Sequence, residues 1–274
     1  MRRLAARSSG DGGQYGRWLL RFFGLPPRLL RWAAWLGQYH SRFADLPTGL
    51  RLEQLRRWDR EPIRSSPAAA WIDVGMASVL HRRGELEACL ERLARARRSV
   101  ARAGADARME VLLLGARIDT DRGALDEAAR ALAEVEGLLA APTLADVDRL
   151  AYQARLVGQR AYHHLHSAPP EPARALAMFD ALPSTTGEPF VDFRREEGRA
   201  RCLHRLGRAE EALAAARLAA RHAGDGGLVR CRVMALELAA RLAAPDEAEA
   251  LRVRASRLAA RLEDEDLLRR TAPS

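Results

Sequence analysis

The sequence predicts an all-α protein built as an array of helical hairpins, and three observations carry that prediction. Alanine, leucine, arginine and glutamate dominate the 274 residues; all are good helix formers, and strand-like alternation is hardly signalled. Small residues recur in register: Cys89, Ala128, Ala173, Ala212 and Ala248 stand 39, 45, 39 and 36 residues apart, and twelve residues before each lies Ala77, Ala116, Ala161, Ala200 or Leu236. Glycine punctuates the same register at Gly84, Gly123 and Gly207, where hairpin turns belong. Two small residues at a fixed offset let the helices of a hairpin approach closely and stack on the next hairpin.

The clearest unit runs from Gly198 to Gly224, GRARCLHRLGRAEEALAAARLAARHAG: a helix, a glycine turn and a second helix. It resembles a tetratricopeptide repeat (TPR), and weaker copies lie over it on both sides across residues 67–262. The spacing of 36 to 45 residues is that of longer variants of the repeat, and the family's tryptophan early in the first helix is absent. The resemblance implies a right-handed helical-hairpin solenoid of about five TPR-like repeats. It also implies that the first helices line a concave groove. Carried onto this chain, the groove residues are Trp71, Val74, Ser78, His81 and Arg82, then Glu110, Leu113, Arg117, Thr120 and Asp121, then Arg155, Gly158, Tyr162, Leu165 and His166. The fourth and fifth repeats add Arg194, Glu197, Arg201, His204 and Arg205, then Arg230, Val233, Glu237, Ala240 and Arg241. Eight arginines face four acids there, whereas residues 67–274 as a whole hold 32 arginines and 31 acids.

Taken in order, residues 1–14 are rich in arginine, serine and glycine and read as disordered. Residues 15–66 form a helical segment rich in aromatics and arginine, with nine of the fifteen aromatic residues and 13 arginines to 5 acids over residues 1–66. Pro26 and Pro27 separate RWLLRFF from RLLRWAAWLGQYHSRF, and the second stretch is apolar around most of its circumference, leaving Arg28, Arg31, Gln38 and Arg42 as a narrow polar stripe. Such a helix wants cover. Trp18, Phe22, Phe23, Trp32 and Trp35 are the docking surface, against the first repeat, a partner or a membrane interface. A nucleic-acid arm is the poorest fit, because these helices are too hydrophobic to stand solvated. A third helix over Leu50 to Arg60 ends at Pro62, and Ser66 with Pro67 opens the first repeat. Pro142 begins the third repeat, whose turn expands to HSAPPEP; residues 181–190 are the longest internal loop, and DGG at 225–227 separates the last two repeats. The final helix, Asp246 to about Leu262, closes the array, and residues 263–274 read as a frayed tail.

Chemistry is sparse. All 45 basic residues are arginine, with neither lysine nor asparagine present, so polar recognition falls largely to arginine, and there is no N-glycosylation sequon. Cys89, Cys202 and Cys231 lack CxxC spacing and read as small buried residues in a reducing compartment. No apolar run approaches the roughly 20 residues of a spanning helix. His163, His164 and His166 sit at the end of a helix, where exposed carbonyls favour an imidazole, and no acid or cysteine stands at ligand spacing. Nucleophile-elbow, zinc-hydrolase and phosphate-loop motifs are missing, so neither catalysis nor a cofactor or small-molecule substrate is expected. The expected function is a non-catalytic adaptor or scaffold in a bacterial cytoplasm. It would hold an acidic segment of a protein partner with Arg117, Arg155, Tyr162, Arg194, Arg201, His204, Arg205, Arg230 and Arg241. The alternatives are a peripheral membrane scaffold anchored by residues 15–43 and, more weakly, a nucleic-acid-associated regulator. The lysine-and-asparagine carboxylate clamp of chaperone-binding TPR proteins is not implied, since both residue types are absent.

Overall fold

A computed structural model describes residues 27–43, 45–140, 142 and 144–271. The expectations for residues 1–14, and for Trp18, Phe22 and Phe23, lie outside the described residues. Those described form thirteen helices and no strand. Helices α1 (Pro27–Arg42) and α2 (Thr48–Trp58) precede five hairpins. The hairpins are α3 (Ala69–Arg82) with α4 (Leu86–Ser99), α5 (Ala105–Asp121) with α6 (Leu125–Leu139), α7 (Asp146–His166) with α8 (Pro172–Asp180), α9 (Pro189–Arg205) with α10 (Ala209–Asp225), and α11 (Val229–Leu242) with α12 (Pro245–Ala260). A short α13 (Glu265–Thr271) follows. Helices pack in neighbouring pairs, and the first helices α3, α5, α7, α9 and α11 touch one another in sequence to form a continuous row.

The repeated small residues account for this packing. Ala77, Ala116, Ala161 and Ala200 are fully buried in the first helices, and Cys89, Ala128 and Ala212 fully buried in the second. At Gly84, Gly123 and Gly207 the backbone turns with φ of 73°, 78° and 76°, a region that other residues enter only with strain. The third hairpin corrects the arithmetic: Ala173 is exposed, and Ala175 takes the buried place two residues on. The expanded HSAPPEP turn delays the start of α8 to Pro172, and the offset of twelve fails there.

Helix α1 docks on α3 through a narrow face. Ala33 and His40 are fully buried, and a Cβ at Gly37 would lie 2.3 Å from the Trp71 carbonyl carbon, so only glycine permits this approach. Trp32 and Trp35 stay on the opposite face, 52% and 60% exposed. Arg42, assigned to the polar stripe, instead reaches inward.

The segment that precedes the array meets the array's last hairpin. The Thr48 amide donates to Leu262 O (2.9 Å), Thr48 Oγ1 donates to Glu263 O (2.7 Å), and the Arg230 amide donates to Asp45 Oδ1 (3.3 Å). Of the expected frayed tail at residues 263–274, Glu265–Thr271 form a helix instead, and residues 272–274 lie outside the described residues. Asp264 Oδ1 accepts from the Leu267 amide (3.1 Å), which starts α13 and buries Leu267 to 1% exposure. The segment before the array thus bridges to its last hairpin beside the row of first helices.

Candidate functional site

The row of first helices, with Ser41, Arg42, Phe43, Asp45 and Asp266, surrounds one cavity of about 410 Å³. Eight arginines line it (Arg42, Arg82, Arg117, Arg155, Arg194, Arg201, Arg205 and Arg230) against four acids, Asp45, Glu110, Glu197 and Asp266. Three further acids pair with these arginines from behind the wall: Asp121, Asp148 and Asp264.

On the side of the second and third hairpins the charges are matched. Glu110 on α5, 1% exposed, accepts from Arg155 Nη1 and, at 3.0 Å, Nη2, and from Arg42 Nε at 3.2 Å. Arg42 also donates to Asp148 at 2.6 Å. Both guanidinium groups lie over the Tyr152 ring, at 4.5 and 5.5 Å, and the Tyr152 hydroxyl donates to Asp106 O. Burial pushes the Glu110 carboxyl up, but Arg155 and Arg42 outweigh it and hold it below the ordinary value. Arg117 completes this side, 3.0 Å from Asp121 and 3.8 Å above the Tyr162 ring.

Across the cavity the match is poorer. Glu197 on α9 serves two arginines: Arg201 Nε donates to it, and Arg194 Nη1 stands 3.6 Å away. Arg194 Nε has no hydrogen-bond partner, and burial lowers that guanidinium below its usual range. Arg205, one helical turn past Arg201, makes no ion pair among the described residues. Arg82 reaches only to 4.0 Å from Asp264, which is already bound by Arg230 at 2.9 Å. Burial first, and then repulsion from Arg230, pulls Arg82 well below the ordinary guanidinium value. His81 beside it is driven down to about 4 by burial and by Arg82 and Arg117, so it is neutral at pH 7. Positive charge is thus left undercompensated along α9, where Arg194, Arg201 and Arg205 share Glu197.

Of the sequence-derived groove residues, Arg117, Arg155, Tyr162, Arg194, Arg201, Arg205 and Arg230 come together on this wall. His204 and Arg241 do not. His204 is exposed outside the cavity, one residue round the helix from Arg205. Helix α11 faces the cavity only with its first two turns, through Arg230, Cys231 and Met234; beyond them it packs between α10 and α12. Arg241, at its far end, therefore lies outside and pairs with Glu237. Arg42, Phe43, Asp45 and Asp266 join the site unannounced, because they come from outside the repeats, where repeat register says nothing.

The histidine cluster has local partners: His164 Nδ1 lies 2.7 Å from Glu171, and His163 Nε2 lies 3.1 Å from Leu125 O. Among the described residues no three of His, Cys, Asp and Glu gather as a metal site. Nor is any helix there long and apolar enough to cross a membrane. Comparison with models of known families, with curated proteins and with solved structures found no match.

Proposed function

We propose that this chain is a non-catalytic, TPR-like helical-repeat adaptor of the bacterial cytoplasm that holds a short acidic segment of a protein partner in the arginine-lined cavity. The observation that carries the reading is the wall's eight lining arginines, seven of them on the first helices of the five hairpins, with Arg205 left without an ion pair among the described residues. Charge-assisted hydrogen bonds between guanidinium and carboxylate are worth roughly 1.5 to 3 kcal/mol each, so a few would anchor a peptide. The volume of about 410 Å³ suits a few residues of extended chain and not a folded domain. Leu113, Tyr162 and Leu165 supply apolar contact beside the charges.

The lining offers little to catalysis. Burial pushes the Cys231 thiol up to about 11, leaving it protonated, and Ser78 Oγ faces Ser41 O at 3.5 Å rather than a base. Cys89, Cys202 and Cys231 are all free, which suits a reducing compartment. Affinity capture from native lysate, comparing the parent with Arg205→Glu, tests the reading. Arg205 has no ion pair to lose, so the variant should stay folded and release the partner; a folded variant that retains the same partner contradicts the proposal.

A further inference from the structure

The outer face of α1 is the largest exposed aromatic surface among the described residues. Trp32 and Trp35 are 52% and 60% exposed, against 36% to 41% for the other large hydrophobics that stand out, which are scattered along the chain apart from Phe43. Spacings of three and four residues place Trp32, Trp35 and Tyr39 on one arc of the helix, and the Trp35 and Tyr39 rings stack at 5.6 Å. Arg28 and Arg31 are exposed on the same arc, with the Arg28 guanidinium 4.7 Å above the Trp32 ring. The helix cannot roll to hide this face, because Gly37 locks its opposite side against the Trp71 backbone.

We propose that this arc is a docking surface for an anionic phospholipid membrane, on which the protein lies peripherally. Two observations select lipid over a protein partner. Tryptophan beside arginine is the pairing favoured at the headgroup level, where an amphipathic ring and a snorkelling cation are both accommodated. The charge is also one-sided: α1 has no acid, and residues 1–41, without the inward-facing Arg42, hold seven arginines to one acid, Asp11. Docking is independent of the cavity, whose arginines face the interior.

Flotation of the full chain with vesicles of phosphatidylcholine, alone or mixed with phosphatidylglycerol, tests this. The chain should float with the mixed vesicles only, tryptophan emission should shift to the blue, and added salt should reduce binding. Trp32→Ser combined with Trp35→Ser should lower the bound fraction about tenfold with melting unchanged, since both side chains are exposed. Equal binding to the neutral vesicles, or undiminished binding of the folded double variant, overturns the proposal. So does failure of the parent to float, and emission already blue in buffer would then assign the cover to the chain itself or to a second copy.

Discussion

Glu110 and Glu197 face the same cavity from the first helices of two hairpins, and each is buried between two arginines, yet the surroundings of the two pairs differ. At Glu110 every charge has a partner: Arg155 binds with Nη1 and Nη2, Arg42 turns a second nitrogen to Asp148, and Tyr152 lies beneath both. At Glu197 one carboxylate is divided between Arg201 and a more distant Arg194, and the neighbouring Arg205 has no acid. Arginine is common to both sides, so residue type does not distinguish structure from function here; the local balance of acids does. Removing one member of a saturated buried cluster strands its partners and destabilises the fold, whereas an undersaturated cluster in a cavity retains donors for a ligand.

The largest expected effect breaks the saturated side. Glu110→Gln leaves two deep guanidinium groups without their shared carboxylate and should cost about 3 to 5 kcal/mol in urea unfolding. Arg205→Gln should stay within about 0.5 kcal/mol of the parent in the same assay. Equal losses for the two variants would erase the distinction.

A smaller effect comes from pH. His40, buried against Arg51 and Gln54, has its value lowered from 6.5 to about 4, by burial first and then by Arg51. The unfolded chain therefore binds the proton more readily, and stability should fall as pH drops from about 6.5 towards 4, by up to about 3 kcal/mol. His40→Gln should flatten that part of the urea-midpoint profile; an unchanged slope would assign it to other groups. Gly37→Ala sharpens the comparison further, because lifting α1 from Trp71 also draws Arg42 away from Glu110. Overpacking of this kind costs about 1 to 3 kcal/mol, and combining it with Glu110→Gln should cost less than the sum of the two singles.

How far the sequence could be read follows the range of the contacts. Alanine pairs and glycine turns act within one hairpin, so Ala116, Ala128, Gly123 and their counterparts gave the helical array directly. Ala173 falls out of register because the longer HSAPPEP turn moves the buried place two residues on, to Ala175, without changing the pattern around it. Contacts such as Arg42 with Asp148 and Thr48 with Leu262 join positions that share no repeat, and nothing periodic marks them. The bridge from the N-terminal segment to the last hairpin was invisible for that reason, and with it the roles of Asp45 and Asp266. The arginines of α9 were legible because three of them, Arg194, Arg201 and Arg205, lie seven and four residues apart on one helix face.

The central claim is that the undersaturated arginines receive an acidic segment. Fluorescence anisotropy of a labelled oligoglutamate peptide titrated with the full chain addresses it most directly. The account predicts saturable binding with one peptide per chain, weakened by salt and about tenfold weaker for Arg205→Gln at unchanged melting temperature. Absence of saturable binding by the parent, or equal affinity in the folded variant, would contradict it.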